Sequence, residues 1–321
     1  MQDKSQLKAG VVLNPNAGGG KAKKFSRDVK SLLGALYRDV ECAETTHRGH
    51  AIGLTRHLAT DSDVDHIWVV GGDGTMNEAI NGYLNDEGVA WRERVAIGGI
   101  PAGTGGDFAR STGMRSLDWQ ESVRQSEARQ IDCGVVEFVD HHDRKAKRYF
   151  LNIASFGSSG LITQKVNQAS KWLGGKGTYL LGTVQGMMEY QNQRVKIEFD
   201  GHECVQNINI VAVANGRYFG GSMKIAPQAL LDDSLFDLVI SDDLQLKDFL
   251  LHHKKLYAGD HVDLKEFQVH RVPSVVATSL GSDVMIEVDG EALGRLPATF
   301  GVGGGAVNFL APWSLSEGLT A

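Results

Sequence analysis

Three times within its first 110 residues this chain runs a short apolar segment straight into a glycine-rich turn and then into a helical pattern, and that repetition restricts the fold more than any other feature. Val11-Val12-Leu13 leads into Asn14-Pro15-Asn16-Ala17-Gly18-Gly19-Gly20-Lys21, followed by an apolar face of Ala22, Phe25, Val29, Leu32, Leu33 and Leu36. His66-Ile-Trp-Val-Val70 ends in Gly71-Gly72-Asp73-Gly74-Thr75, and Met76, Ala79, Ile80, Tyr83 and Leu84 then repeat at helical spacing until Asn85 to Gly88 stop them. Val95-Ala96-Ile97 leads into Gly98 to Arg110. Glycine lets the backbone take positive φ and approach a ligand, and a helix start leaves unpaired N–H groups at the positive end of a dipole. Three such units place three loops along one edge of a parallel sheet, where nucleotides bind in open α/β folds. Strand-to-helix turns rich in glycine also occur without a ligand, so a single loop of this kind would not decide the matter.

The commoner nucleotide signatures are missing. Gly20-Lys21 is followed by Ala22 rather than Ser or Thr, which excludes a P-loop. Gly301 to Ala306 fits the dinucleotide fingerprint in letters, but too little chain follows it for a βαβ unit. No Gly-x-Ser-x-Gly elbow marks an α/β-hydrolase.

The pattern changes near residue 130. Beyond it β-like runs dominate, at 130–139, 149–154, 194–199, 207–214, 235–241, 266–272, 274–279, 283–288 and 298–302, with helical insertions at 161–170, 178–190 and 246–256. Asp200-Gly201 between alternating apolar runs reads as a hairpin turn, which makes the pairing antiparallel. The expected architecture is an α/β nucleotide-binding domain over 1–130 and a mostly antiparallel, β-sandwich-like domain over 131–306. With 321 residues and 42% hydrophobic content, each domain can bury a core of its own. No run approaches the roughly 18 apolar residues of a membrane helix, and Met1 to Ser5 lacks a signal-peptide core, so a cytoplasmic protein is expected. Cys42, Cys133 and Cys204 are too few and too scattered for a disulfide framework or a Cys-x-x-Cys metal site. The net charge of −6 argues against nucleic acid as a partner.

Asn14-Pro15 with its glycines, Gly71-Gly72-Asp73-Gly74-Thr75, the Gly103-Thr104 loop and a late Asp289-Gly290-Glu291 resemble, in that order, the catalytic domain of diacylglycerol kinase-like lipid kinases. The resemblance spans nearly the whole chain and is closest to the soluble bacterial members, in a family that includes sphingosine and ceramide kinases. NAD kinases share the Gly-Gly-Asp-Gly-Thr loop in a related fold. The family's fold is an NAD kinase/diacylglycerol kinase-type α/β domain with a β-rich acceptor domain, and it implies that residues 307–321 rejoin the first domain. It implies ATP and Mg²⁺ as cofactors. Asn14, Asn16, Gly18, Gly19, Lys21, Thr45, Gly71, Gly72, Asp73, Gly74, Thr75, Asn77, Glu78, Gly103, Thr104 and Asp107 are then the nucleotide site, with Arg110 a further source of charge. Read from the residues alone, Lys21 is equally a solvated lysine of a first helical turn.

By the same resemblance Asp289 deprotonates the lipid hydroxyl and Glu291 supports it; taken alone, Asp289-Gly290 reads as an ordinary hairpin turn. Asp132, Asp232, Asp233 and Leu235 match positions that hold a structural divalent cation, Mg²⁺ or Ca²⁺, where the plain alternative is a solvated acidic turn. Two positions depart from the family. Gly106 stands where Asn usually precedes the aspartate of the third loop, and Ser234 where the acidic turn usually has Gly. Gly106 brings only backbone to the nucleotide, so affinity or base selectivity is expected to differ.

A lipid kinase needs an apolar mouth that can touch a bilayer. Leu161, Ile162, Trp172, Leu173, Tyr179, Leu180, Leu181, Met187 and Met188, interleaved with Lys165, Lys171 and Lys176, suit that task, although helical apolar stripes are more often plain core. The expectation is an ATP- and Mg²⁺-dependent kinase acting on diacylglycerol or a related lipid alcohol, peripheral to the inner face of the membrane, with a homodimer as a further expectation. The rivals are a soluble-metabolite kinase of the NAD kinase type and a non-catalytic nucleotide- or lipid-responsive regulator.

Overall fold

Alternation of strands with amphipathic helices, the interior strands being apolar on both faces, is what parallel pairing requires, because each crossover covers a sheet face. In a computed structural model that describes residues 3–102, 106–168, 174–244, 246–303 and 305–315, that alternation gives β1 (Lys8–Leu13), α1 (Ala17–Leu36), β2 (Asp39–Glu44), α2 (His50–Thr60), β3 (His66–Gly71), α3 (Asp73–Tyr83) and β4 (Ala96–Pro101). Two short helices, α4 (Asp107–Ser111) and α5 (Trp119–Gln125), and strand β5 (Glu127–Ile131) follow. Strands β2, β1, β3 and β4 pair in parallel in that order, and every residue of β3 is buried, as a central strand demands.

Close packing sets local requirements. Helices α2 and α3 approach until a Cβ on Gly82 would lie 2.1 Å from the Ile52 carbonyl oxygen. Backbone cannot swing aside as a side chain can, so Gly82→Ala is expected to cost about 1–3 kcal/mol or more, read as a fall in the urea midpoint at unchanged slope. Under the sheet, Trp68 Nε1 donates to the Tyr37 hydroxyl at 3.0 Å, and that hydroxyl lies 2.8 Å from His66 Nδ1. Indole only donates, so the tyrosine proton goes to Nδ1, and His66 is held neutral with its own proton on Nε2. Lys4 is buried and gives its ammonium to the carbonyls of Val123, Arg124 and Ser126, closing the C-terminal end of α5.

The second unit is antiparallel. It contains β6 (Gly134–Asp140), β7 (Lys145–Phe150), β8 (Ile153–Gly157), α6 (Ser158–Gln168), α7 (Gly174–Glu189), β9 (Gln193–Phe199), β10 (His202–Ala214), β11 (Phe236–Asp242) and α8 (Leu246–Ala258). Strands β12 (Phe267–Val272), β13 (Ser274–Ser279), β14 (Met285–Val288) and β15 (Glu291–Val302) complete it. Strand β9 pairs with both β10 and β13, so the path β10-β8-β14-β15-β13-β9 closes on itself around a core that includes Phe150, Phe156, Phe236 and Phe300. Closure leaves no free edges along that ring. Asp200 (φ 46) and Gly201 (φ 74) form the two-residue turn between β9 and β10 that their sequence announces.

The chain then returns to the first sheet as β16 (Val307–Ala311), parallel to β4 on one side and antiparallel to β5 on the other. Contacts divide the chain into Met1–Cys133 with the segment from Gly303, and Gly134–Val302. The run expected over 130–139 is therefore two strands: β5 belongs to the first sheet and β6 to the second.

Candidate active site

In the first unit the strand ends are wired to one another by side chains. Asn14, just past β1, donates through Nδ2 to Thr75 Oγ1 at 2.9 Å and accepts Asn16 N–H at 3.0 Å. A Cβ on Gly71 would lie 2.5 Å from the Thr75 side chain, so a glycine there lets Thr75 reach Asn14. Asp73 at the start of α3 accepts the N–H of Gly106 (2.9 Å) and of Asp107 (3.2 Å), joining the second loop to the third. Glu78 is buried and takes the N–H of Gly49 and Ala51 at 2.7 and 3.2 Å, which satisfies the N-terminus of α2 and fixes the turn after Thr45. Asn77 and Thr45 are buried in the same region.

Gly18, Gly19 and Gly20 all take left-handed φ (62, 69 and 85), so the first turn of α1 is an open loop rather than regular helix. Nothing stands within 4 Å of where a Cβ would sit on Gly19, Gly20 or Gly72. That is bare backbone facing open space, which an anion can approach. Lys21 is exposed, Gly74 is half-buried, and Asp107 is buried with Arg110 Nε 3.9 Å from its carboxylate. A hollow open to solvent is walled by Gly71, Gly72, Asp73, Gly106, Thr112 and Phe108. Gly103 and Thr104 lie outside the described residues.

Gly106 acquires a reason that the sequence did not offer. Its φ is 80, and a Cβ there would lie 2.6 Å from Arg115 Nε and 2.7 Å from its Nη2. The guanidinium fills the space of the missing side chain, near Arg110, Asp73 and Asp107, and burial together with Arg110 pulls its pKa down. A guanidinium is the far end of a flexible chain and can swing out. Gly106→Asn is therefore expected to change stability by less than about 1 kcal/mol. It should alter nucleotide affinity, and in an Arg115→Ala background that alteration should differ clearly, as a double-mutant cycle on ATP-analogue dissociation constants would read.

In the second unit Asp289 and Gly290 take φ 47 and 89 and connect β14 to β15, with Val288 paired to Glu291. The hairpin reading is thus correct in geometry. Yet the Asp289 side chain does not point to water. It is buried, and its carboxylate accepts the N–H of Leu151 (3.3 Å), Asn152 (3.2 Å) and Ile153 (3.0 Å), while its own N–H donates to Ile153 O. Three amides fix its orientation and offset the cost of burying charge. Glu291 Oε2 lies 4.0 Å from Arg148, both side chains mostly covered.

Sequence reasoning missed Glu287. It is 6% exposed, accepts the N–H of Gly290, and stands 2.6 Å from Ser155 Oγ, which in turn is 2.9 Å from Ser159 Oγ. A hydroxyl has one proton, so Ser155 donates to Glu287 and accepts from Ser159. The local signal is weak: Val284, Ile286 and Val288 alternate into the core, so the pattern leaves Glu287 on the other face, where the sequence alone gives no cover for it.

The acidic turn gathers differently from a cation cage. Asp233 accepts Leu235 N–H at 3.0 Å and pairs with the Arg271 guanidinium, which also lies 3.7 Å from buried Asp237. Burial raises the Asp237 carboxyl to about 6, with Asp233 adding to it and Arg271 and Arg217 opposing. Ser234 accepts a left-handed φ of 60, as glycine would. Asp132 belongs to the first unit and Asp232 to the second. Among the described residues no three His, Cys, Asp or Glu side chains converge to hold a metal. The donors are all oxygen, which suits a hard cation, but a guanidinium stands beside Asp233, so these side chains do not fit a ready-made cage.

Of the apolar set expected at a lipid mouth, Ile162 and Met187 are buried and Met188 is 70% exposed. Lys171, Trp172 and Leu173, with the side chains of Lys176, Tyr179, Leu180 and Leu181, lie outside the described residues. Ile162 and Met187 border an apolar cleft, partly open to solvent, whose polar groups include Ser158, Ser159, Thr183 and Asn209. Among the described residues no helix is long and apolar enough to cross a membrane.

A parallel sheet with glycine loops at its strand ends, joined to an antiparallel ring, defines the NAD kinase-type class of two-domain kinase folds. The diacylglycerol kinase catalytic domain matches residues 8–136, and the YegS C-terminal NAD kinase beta sandwich-like domain matches residues 152–311. The chain belongs to the diacylglycerol kinase-like lipid kinase family. The diacylglycerol kinase of Bacillus subtilis (strain 168) is 28% identical over 299 residues, covering 91% of this chain and 92% of that one. The diacylglycerol kinase of Mycobacterium tuberculosis (strain ATCC 25618 / H37Rv) is 25% identical over 312 residues, covering 95% of each. A crystal structure from Bacillus anthracis str. Sterne matches with a TM-score of 0.72 at 24% identity over 94% of this chain and 95% of that one. A second from the same strain, titled as a diacylglycerol kinase, gives 0.68 at 21% identity over 98% and 100%. These two likenesses speak for the fold, which agrees with the architecture expected from the sequence.

Proposed function

We propose that this kinase transfers the γ-phosphoryl group of MgATP to the hydroxyl of a lipid alcohol, diacylglycerol or a close relative, with Asp289 as the base. The observation that carries the proposal is the buried Asp289 carboxylate, fixed by three backbone amides at a two-residue turn. Phosphoryl transfer asks little covalent chemistry of a protein; it asks for positioning, for charge compensation and for a place to put one proton. The glycine loops of the first unit offer bare amides for phosphate oxygens, Asn14 and Asp73 keep the loops in register, and Arg110 and Arg115 bring positive charge near them. Mg²⁺ arrives with ATP as part of that substrate and shields the phosphate oxygens. Asp289 takes the hydroxyl proton on its carboxylate.

The cleft of the second unit supports a lipid acceptor. Its walls are Ile162, Met187, Met223, Ile225, Phe249 and Leu256, a surface for an acyl chain rather than for a nucleotide, with a few hydroxyls and an amide to orient a head group. Such a substrate places the enzyme at the inner face of the membrane, entering and leaving from the cytoplasm. The test is γ-labelled ATP with purified protein, Mg²⁺ and mixed micelles of diacylglycerol, monoacylglycerol, sphingosine or phosphatidylglycerol, with NAD in a parallel tube. Labelled lipid is expected and names the acceptor. Label in the NAD tube alone would replace the lipid reading with the soluble-metabolite one.

A further inference from the structure

Helix α8 has two apolar sides. Phe249 and Leu256 are 5% and 6% exposed and wall the cleft from within. Leu250 and Leu251, facing away, are 51% and 73% exposed. A helix that packs by one stripe is normally polar on the other, so two adjacent leucines left in water need a reason. Their neighbours supply one. Lys247, Leu251 and Lys254 follow at spacings of four and three and so form one outward stripe, and Lys255 is exposed beside it. Asp248 is the single acidic residue of the helix. The helix thus carries a local positive excess in a chain whose net charge is −6. Across the cleft, α7 repeats the arrangement: Met187 faces in, and the next residue, Met188, is 70% exposed.

We propose that the outer face of α8 docks on an anionic bilayer, with Leu250 and Leu251 entering the acyl boundary while Lys247, Lys254 and Lys255 meet the head-group phosphates. Leucine next to lysine is the pairing an interfacial helix needs, since the apolar side chain sinks as the long cation reaches back to the head groups. A second copy of the chain fits the face less well, because a two-fold contact would set the lysine stripe against itself. The inference rests on the lipid-kinase reading and adds where the bilayer is touched: at the outer side of a helix whose inner side walls the substrate cleft. The apolar and basic residues that the sequence offers for this contact between Leu161 and Met188 lie partly outside the described residues, and α8 is an element in addition to them.

Flotation on vesicles of phosphatidylcholine with phosphatidylglycerol, and of phosphatidylcholine alone, tests it. The parent protein is expected to float with the anionic vesicles. Leu250→Ser/Leu251→Ser and Lys247→Glu/Lys254→Glu should each weaken that binding by about tenfold or more. Both variants should retain parental turnover on water-dispersed dioctanoylglycerol, which reports that they fold. Vesicle binding at the parental level in both variants overturns the proposal, as does a parent that binds no vesicle. If the leucine variant instead splits an oligomer on a sizing column and floats as the parent does, the face is a self-association surface and the proposal is wrong. A parent that floats and loses flotation in the variants, but phosphorylates no lipid, keeps α8 as the docking element and removes the lipid-kinase reading instead.

Discussion

Asp289→Asn is expected to fold, to bind ATP as the parent does, and to lose turnover by a factor of about 10²–10⁴. The choice of asparagine matters. Position 289 sits at φ 47, a region that asparagine tolerates and that an Asn-Gly pair favours in this kind of turn. The oxygen of the amide can keep the two N–H groups of Asn152 and Ile153, both of which now converge on Oδ1. Its nitrogen then faces Leu151 N–H at the 3.3 Å position, a donor against a donor, for which about 1–3 kcal/mol of stability is the expected cost. Alanine would leave all three N–H donors without their acceptor and strain the turn, confusing lost chemistry with lost structure. Thermal unfolding, binding of a fluorescent ATP analogue and single-turnover labelling, run side by side, separate these effects. Turnover near the parental level would remove Asp289 from the chemistry and leave it as a turn residue.

The first unit should weaken as the pH falls from about 6.5 toward 4, and His66 should account for about 3 kcal/mol of that loss. Burial, with the Lys4 charge adding to it and Asp65 opposing, pulls the His66 pKa from 6.5 to about 4. In the unfolded chain the ring takes a proton below about 6.5, while in the folded state it refuses one until about 4. Over that window the unfolded state binds the extra proton, so acidification favours unfolding. The geometry agrees, because a proton on Nδ1 would oppose the Tyr37 hydroxyl that now donates to it. His66→Gln can still accept from Tyr37 and cannot titrate. Its stability deficit relative to the parent, taken from urea curves at pH 7 and pH 4.5, should shrink by about 2–3 kcal/mol. Parallel curves would mean that His66 is already protonated or already exposed in the native state.

What could be read in the sequence was local. Val11-Val12-Leu13, the run at 66–70 and Val95-Ala96-Ile97 are uninterrupted apolar runs before glycines, and a parallel sheet is what buries such runs on both faces. Asp200-Gly201 and Asp289-Gly290 are turn pairs whose backbone demands decide the hairpin on their own. What could not be read was pairing between distant segments. Nothing in Val307–Ala311 states that it enters between β4 and β5, because five apolar residues fit many edges; only the family resemblance pointed back to the first domain. The closure of the ring through β9 was hidden for the same reason.

At the site, the Asp-Gly-Glu letters implied a base and the local pattern implied a turn, and the two describe one geometry. The direction of the Asp289 carboxylate depends on the amides of Leu151 to Ile153, more than 130 positions away, and no local rule supplies that. Arg115 in the space above Gly106 is likewise a contact across a loop, visible only once the chain has turned. Glu287 was hidden in the same way: alternation with Ile286 and Val288, which face the core, assigns it to the opposite face of the strand, and it is the packing of α6 there that buries it.

The insertion of β16 between β4 and β5 carries a consequence for synthesis. As the chain leaves the ribosome, residues 1–133 emerge first, but their sheet lacks an interior strand until residue 311 is free. Gly134–Val302 needs no later segment to close its ring, so the second half of the molecule can finish folding before the first. Meanwhile β4 and β5 present unpaired edges, the kind that recruit foreign strands. Nascent chains stalled shortly before Val307 should therefore be the form most dependent on chaperones, and the nucleotide loops should acquire their final order only once Ala311 has emerged.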